Sequence, residues 1–467
     1  MKRYIVMTMC ILLFIGAVFT GCARGEEISQ YYEPDNQIPE IEEQILREEP
    51  WRVYEMTENI NKQMESITAM DVADRMRLGW SLGNSLDARN DKLDISEKPE
   101  SFEKAWGNPV TKQETMAAVV AAGFNVIRIP VSWTGHFDED YNIDPAWMQR
   151  VHTVVDYAYS QGVYVIIDAH HENWNYPYYD NKDSAIRIMK KLWAQIAEEF
   201  KDYDEHLIFE GQNEPRKVGT ELEWTGGDAE GREVVNATNA AFVETIRNSG
   251  GSNPYRILMI PTYAASSETE AIEGWEGIPG DNRIIASVHA YIPYHFALDI
   301  NNKPKLTWDN DTADIDRLMK DLKTNFVDKG IPVVLGEFGA VNRNLSVGES
   351  DDSSKDENGE QSAGTAENED GEAEALAKSD NRLEWAKYYI DSACGVGVPC
   401  IWWDNNYFNT KGENFGLLNR WKTEWEFPEL LEVLMQETAG RAPEGSKIFS
   451  AEEYRDSLEG FKDETDN

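Results

Sequence analysis

The stretch Val163-Tyr164-Val165-Ile166-Ile167-Asp168-Ala169-His170-His171-Glu172-Asn173 decides how this chain is read. A β-branched, aliphatic run ends abruptly in carboxylates and imidazoles. It is preceded by the amphipathic stretch Pro145–Gln161 and followed by another, Ser184–Lys201. A strand set between two helices is one β-then-α unit, with its polar residues at the strand's C-terminal end. The unit recurs. Strands are predicted at Leu78–Asn84, Asn125–Val131, Val163–His170, Leu207–Gln212, Arg256–Pro261, Ile284–His289, Pro332–Glu337 and Val398–Asp404. Helices are predicted at Lys112–Ala122, Pro145–Gln161, Ser184–Lys201, Arg232–Asn248, Thr312–Lys329 and Asn381–Ala393, with Pro428–Gln436 closing the series. Regular alternation implies parallel strands with helices outside, and eight such units close into a (β/α)8 TIM barrel, an α/β fold. A doubly wound sheet is the alternative. Against it, Gly79-Trp80-Ser81-Leu82-Gly83-Asn84 is bulky and ends a strand, where a phosphate loop would open a helix.

The 467 residues carry 85 Asp and Glu against 44 Lys and Arg, a formal net charge of −41. A polyanion or an anionic lipid surface would be repelled, so no nucleic acid is expected as a partner. The charge is concentrated: residues 349–380 hold 12 acids and two bases, and 26–65 hold 12 acids and three bases. Such segments cannot bury enough apolar surface to offset chain entropy. The tract 349–380 is expected to be a disordered acidic insertion after strand seven. Residues 23–65 are read as an acidic linker and 441–467 as a loosely structured acidic tail, leaving 66–440 for the barrel.

At the N-terminus Lys2 and Arg3 precede an apolar run from Tyr4 to Thr20 and then Gly21-Cys22-Ala23. That run is short for a membrane span and resembles a secretory signal over 1–22. Gly21 before Cys22 resembles a lipoprotein box, in which Cys22 is lipidated. The expectation is an exported monomer, extracellular or at the cell surface, touching the membrane only through that lipid. Cys394 and Cys400 fit no zinc or redox spacing and are read as buried free thiols. No cofactor is expected. A metal reading of His170-His171-Glu172 fails for want of HExxH spacing, and because adjacent residues at a strand end should point in opposite directions.

In a barrel of this kind, chemistry sits at the C-terminal strand ends. Arg128 falls there on strand two, His170 and His171 on strand three, Asn213 and Glu214 on strand four, His289 and Tyr291 on strand six, Glu337 on strand seven and Trp403 on strand eight. Glu214 and Glu337 are thus brought to one pocket. Paired carboxylates are the working parts of glycoside hydrolysis, one protonated and one ionised, and the surrounding Arg, Asn, His and Tyr can set those states apart.

Asn213-Glu214-Pro215 and Gly336-Glu337-Phe338-Gly339, with Ile127-Arg128-Ile129-Pro130, resemble glycoside hydrolase family 5. Gly79–Ala88, Trp106-Gly107-Asn108-Pro109, Gly219-Thr220 and Glu223-Trp224-Thr225-Gly226-Gly227 resemble its endoglucanase branch, subfamily 4, which also includes xyloglucanases and lichenases. The resemblance covers roughly 69–438. It implies Glu214 as general acid/base, Glu337 as nucleophile and Asn213 on the sugar 2-hydroxyl. Arg128 and Tyr291 would hold Glu337 ionised, His289 would lie on the acid/base side, and His170 would contact sugar next to the cleaved bond. Trp403 matches the platform beneath that sugar, while Asn84, Trp106, His171 and Trp224 belong to the cleft or its support.

Half of the rings in the loop Trp174–Tyr179 are expected to meet substrate. Trp402, Trp147, Trp193, Trp385, Trp421 and Trp425 are expected to pack. The implied activity is a retaining endo-β-1,4-glucanase acting on a β-glucan. A xyloglucanase or β-mannanase is the alternative, and so is a non-catalytic glycan-binding lipoprotein, which should have lost a glutamate or Arg128.

Overall fold

Short β-branched runs, each buried on both faces, make the strands of the computed structural model, which describes residues 63–343, 382–442 and 444–465. They are β1 Leu78–Leu82, β2 Val126–Ile129, β3 Tyr164–Asp168, β4 Leu207–Glu210, β5 Leu258–Ser266, β6 Ile284–His289, β7 Val333–Phe338 and β8 Cys400–Asp404. They close into a barrel in chain order, with β8 pairing parallel to β1. Around it lie α1 Ala69–Arg75, α2 Gln113–Ala121, α3 Pro145–Tyr159, α4 Tyr179–Glu199, α5 Ala229–Arg247, α6 Thr269–Glu273, α7 Ala313–Asn325, α8 Leu383–Gly395 and α9 Pro428–Glu437. The predicted signal with Cys22, the linker as far as residue 62 and the insertion 349–380 lie outside the described residues.

Alternation along each strand explains how the barrel is filled. Val165 and Ile167 point outward into the apolar layer beneath the helices, where each contributes roughly 1.5–3 kcal/mol by burial. Val126, Ile166, Ile208, Ile285 and Val334 face inward, and Ala69, Val72 and Met76 from α1 and its end close that cluster from below. Two residues further along their strands come Arg128, Asp168, Glu210 and Ser287, all fully buried. The barrel interior therefore changes from hydrocarbon to charge at its C-terminal end.

Four expectations need correction. Strand β5 runs on to Ser266 through a register shift, with Ala264 and Ala265 at φ 56° and 46°. Helix α4 begins at Tyr179, before the predicted Ser184, because its first turn docks on α5: the Tyr179 N–H donates to Glu230 and its hydroxyl to Glu233. The tail is not all linker. A helix spans Ala451–Thr465, anchored where the Trp425 N–H donates to the Tyr454 hydroxyl at 2.8 Å. Trp421, expected to pack, is 67% exposed on the turn between the paired strands Leu418–Asn419 and Glu424–Trp425.

Candidate active site

Arg128 organises the floor of the site. Its Nε donates to Glu210, Nη1 to Glu337 and Nη2 to Asp168, each at 2.7 Å, and Nη2 also reaches Asn213 Oδ1 at 2.8 Å. Three buried carboxylates thus share one guanidinium. Burial pushes Asp168 up to about 7 and also raises Glu210, against the pull of the Arg128 charge. Burial would raise Glu337 too, but His289 and Arg128 outweigh it and hold Glu337 below the ordinary carboxylate range. The Tyr291 hydroxyl donates to its other oxygen at 2.7 Å.

A backbone irregularity aims Glu337. Simple alternation from Leu335, which faces outward, would send Glu337 outward as well. The register with β6 instead slips so that Val288 pairs with Leu335 and His289 with Glu337, leaving Gly336 as the extra residue. A Cβ on Gly336 would sit 2.8 Å from Ser287 Oγ and 3.0 Å from His289 Nε2, so glycine is required there.

Asn213 and Glu214 follow β4. Gly211 permits the approach of Phe242 from α5, and the Asn213 N–H donates to the Ala169 carbonyl at 3.0 Å, tying this segment to β3. His289 Nδ1 lies 2.9 Å from Glu214 Oε1 and 3.7 Å from Glu337 Oε2. One oxygen of each glutamate and the imidazole nitrogen all fall within 4.8 Å of one another. Burial would raise Glu214, but the hydrogen bond and charge of His289, helped by Arg216, hold it down. Burial disfavours the His289 cation, yet the two glutamates raise it above its ordinary value.

The other predicted residues distribute along the cleft. His170 is buried, and burial together with Arg128 keeps it neutral. Its Nδ1 lies 2.7 Å from Asp168 and its Nε2 3.4 Å from Asn213 Nδ2, which makes Nδ1 the protonated nitrogen. Trp403 lies flat on the His170 ring, 5.6 Å between centroids and 2° between planes. Asn84, Trp106, His171 and Trp403 line one cavity of about 420 Å³ together with Asn405, Tyr407 and Glu413. Trp224, 53% exposed, lies on the other side of Glu214: Arg216 stacks 4.2 Å over its ring and comes 3.6 Å from Glu214 Oε2.

Of the loop rings, Trp174 is 6% exposed and donates to Glu172, which places it in the protein, and Tyr178 packs under Lys217. Trp402 is core, as expected, donating to the Phe415 carbonyl.

The geometric objection to a metal at His170-His171 does not hold. Strand β3 ends at Asp168, and beyond it the two rings meet edge to face with centroids 4.4 Å apart. Asp87, His170 and His171 each bring a donor within 4.8 Å of the others, but both Asp87 oxygens already accept N–H groups of Asn84 and Ser85.

Four further residues around the site were not found by reading strand ends. Glu210 and Ser287 are hidden inside otherwise apolar strands. Glu413 lies exposed to solvent in the loop after β8, where the surrounding protein and the nearness of Glu214 and Glu337 raise it. Arg420 donates to the Gly83 and Asp404 carbonyls, fastening the β1 and β8 ends under the cleft. Only Glu413 had a local signal, a polar residue after Lys411-Gly412.

The family model described as cellulase (glycosyl hydrolase family 5) matches residues 86–409. The chain is 44% identical over 379 residues to endoglucanase B of Neocallimastix patriciarum, covering 80% of this chain and 73% of that one. Among solved structures, it is similar to a GH5-4 broad specificity endoglucanase from Clostridium longisporum, with a TM-score of 0.71 and 40% identity over 80% of this chain and 99% of that one. It is also similar to a xyloglucan-specific GH5 endo-β-1,4-glucanase from a metagenomic library, with a TM-score of 0.67 and 35% identity over 78% and 98% of the two chains.

Proposed function

The chain belongs to glycoside hydrolase family 5, and from that premise we propose that it is an endo-β-1,4-glucanase that cleaves internal bonds of β-glucans with retention at the anomeric carbon. The observation that carries the stereochemistry is the closeness of the two glutamates, with an oxygen of each within 4.8 Å. Retaining pairs stand roughly 5 Å apart, whereas an inverting pair leaves about 6.5–9.5 Å for a water.

In this mechanism Glu337, ionised beside Arg128 and Tyr291, attacks the anomeric carbon as the glycosidic C–O bond breaks. Glu214 gives its proton to the departing oxygen. Glu214 then takes a proton from water as that water displaces Glu337, which restores both groups. The contact between His289 and Glu214 supports the source of that proton: the imidazolium passes it to the otherwise ionised Glu214 for donation, and takes back the one that Glu214 later removes from water. The family resemblance assigns Asn213, whose Nδ2 lies 3.4 Å from His170 Nε2, to the sugar 2-hydroxyl, and Trp403 offers a flat apolar face to a pyranose ring. The position of Glu413 in the same cavity supports a role in holding sugar hydroxyls.

Glu337→Gln should lower turnover on barley β-glucan by several orders of magnitude while affinity for a glucan oligosaccharide is kept. NMR of the first products of the wild type should show the β-anomer. Substantial activity in the variant, or α-anomer first, would overturn the assignment. The similarity to both broad-specificity and xyloglucan-specific enzymes favours activity on several β-1,4-glucans, and initial rates on barley β-glucan, xyloglucan, carboxymethylcellulose and glucomannan would rank them.

The signal-like N-terminus supports export and tethering through a lipid on Cys22. Radiolabelled fatty acid should then enter the wild type and not Cys22→Ser, and equal labelling of both would dismiss the tether.

A further inference from the structure

At the opposite end of the barrel from the cleft, the turn entering β4 places three consecutive side chains, Asp204, Glu205 and His206, around one point. Each offers a carboxylate oxygen or imidazole nitrogen, and the three atoms lie within 4.8 Å of one another. His206 Nδ1 is 3.1 Å from Asp204 Oδ1. Without an ion this contact is a hydrogen bond, and its length is close to the roughly 3.3 Å that separates two ligands held at about 2.0–2.1 Å on a tetrahedral centre, so an ion could replace the shared proton with little movement.

Glu205 supplies the second observation. It is only 4% exposed. Its Oε1 accepts a hydrogen bond from Gln63 Nε2 at 3.1 Å, while Oε2 is buried with no partner. Among the described residues no lysine or arginine makes an ion pair with the Glu205 or Asp204 carboxylate; Asp204 pairs with His206, and the charge of Arg256, which donates to the Asp204 carbonyl, reaches it. Arg75, whose charge reaches His206, makes no ion pair with any of the three. A buried carboxylate oxygen without a hydrogen-bond donor is costly enough to require an explanation, and a bound cation would partner it.

The surroundings fit a site built for one. The His206 ring stacks on Tyr164 with centroids 4.9 Å apart, and the His206 N–H donates to Asp204 at 2.9 Å, so both ligands are oriented in advance. The side chains of His206 and Asp204 are 35% and 21% exposed, which gives an ion a way in from solvent.

We propose that Asp204, Glu205 and His206 form a structural site for a divalent zinc-class ion. Calcium and magnesium prefer all-oxygen shells, whereas an imidazole with two carboxylates suits zinc and its first-row neighbours. The N-terminal face of such a barrel serves stability and not chemistry. Here the ion neutralises Glu205, and Glu205 holds Gln63 at the point where the chain enters the barrel.

The test uses full-length enzyme stripped with EDTA, titrated with zinc chloride by calorimetry and followed by thermal unfolding. Zinc should bind with one-to-one stoichiometry and raise Tm, leaving kcat on barley β-glucan unchanged at 25 °C. His206→Gln, at a half-exposed position that should fold normally, should bind zinc at least tenfold more weakly and lose the Tm rise, and so should Glu205→Gln. No stoichiometric binding by the wild type, or equal binding by His206→Gln, would overturn the site. A Tm rise given by calcium and not by zinc would overturn the imidazole's part in it.

Discussion

Arg128 faces Asp168, Glu210 and Glu337 with one positive charge, so the protons among those acids decide which of them it serves. Asp168 has the most telling position, because in the fold it titrates near 7 and in the unfolded chain near the ordinary 3.8. Between those values the native state keeps a proton that the unfolded chain has released. Stability therefore falls as pH rises from about 4 to 7 and levels off above, by on the order of a few kcal/mol. Asp168→Asn removes that titration and should flatten Tm against pH over this window. The curve should keep some slope, since Asp87 is also pushed up to about 7 by burial. An unaltered slope in the variant would show that Asp168 is ionised in the native protein across the range. At this scale the sequence was informative where a residue type is rare at its position. Glu214, Glu337, Arg128, Asn213, His289 and Tyr291 all stand at predicted strand ends and do converge. Glu210 ends a run that reads Leu-Ile-Phe-Glu, and only the closed barrel reveals that it faces Arg128.

Gly336 shows what an element adds beyond its residues. Strand β7 reads as a plain apolar strand, and its period of two would turn the Glu337 carboxylate into the helix layer. One slipped residue turns it inward, and the slip survives only because Gly336 has no side chain against His289 and Ser287. Gly336→Ala should push the His289 ring off Glu214 or straighten the bulge. Either change should lower kcat by about 100-fold or more, with an overpacking cost of roughly 1–3 kcal/mol in stability. Unchanged kcat, with near-native Tm, would mean that the bulge does not position the pair. The sequence reading did assign the eight strands and most helices, because β-branched runs and amphipathic stretches alternate so regularly. It could not register the slip, the extension of β5 to Ser266 or the early start of α4. Each of these depends on contacts with a neighbouring element and not on the local pattern.

For the whole molecule, the net charge of −41 bears on which glucans reach the cleft more than on how they are cut. Glu413 lines the cleft cavity and lies near enough to Glu214 and Glu337 to feel their charge, so a polyanionic chain meets negative charge at the site itself. The tract 349–380 adds 12 acids and two bases in the sequence between β7 and α8. Both of those elements are held by barrel and helix packing of their own, so removal of the tract should leave Tm and the rate on uncharged barley β-glucan close to those of the full chain. Charge near a cleft acts on encounter with charged substrates, and salt screens it within about 10 Å at 0.1 M. Deleting 349–380 should therefore raise kcat/KM on carboxymethylcellulose relative to barley β-glucan at low ionic strength. The two proteins should converge on one ratio as salt approaches 0.5 M, roughly, where the screening length becomes shorter than the cleft. A ratio that does not change on deletion at low salt would mean that the acidic tract has no part in substrate choice, leaving discrimination to Glu413, Glu214 and Glu337.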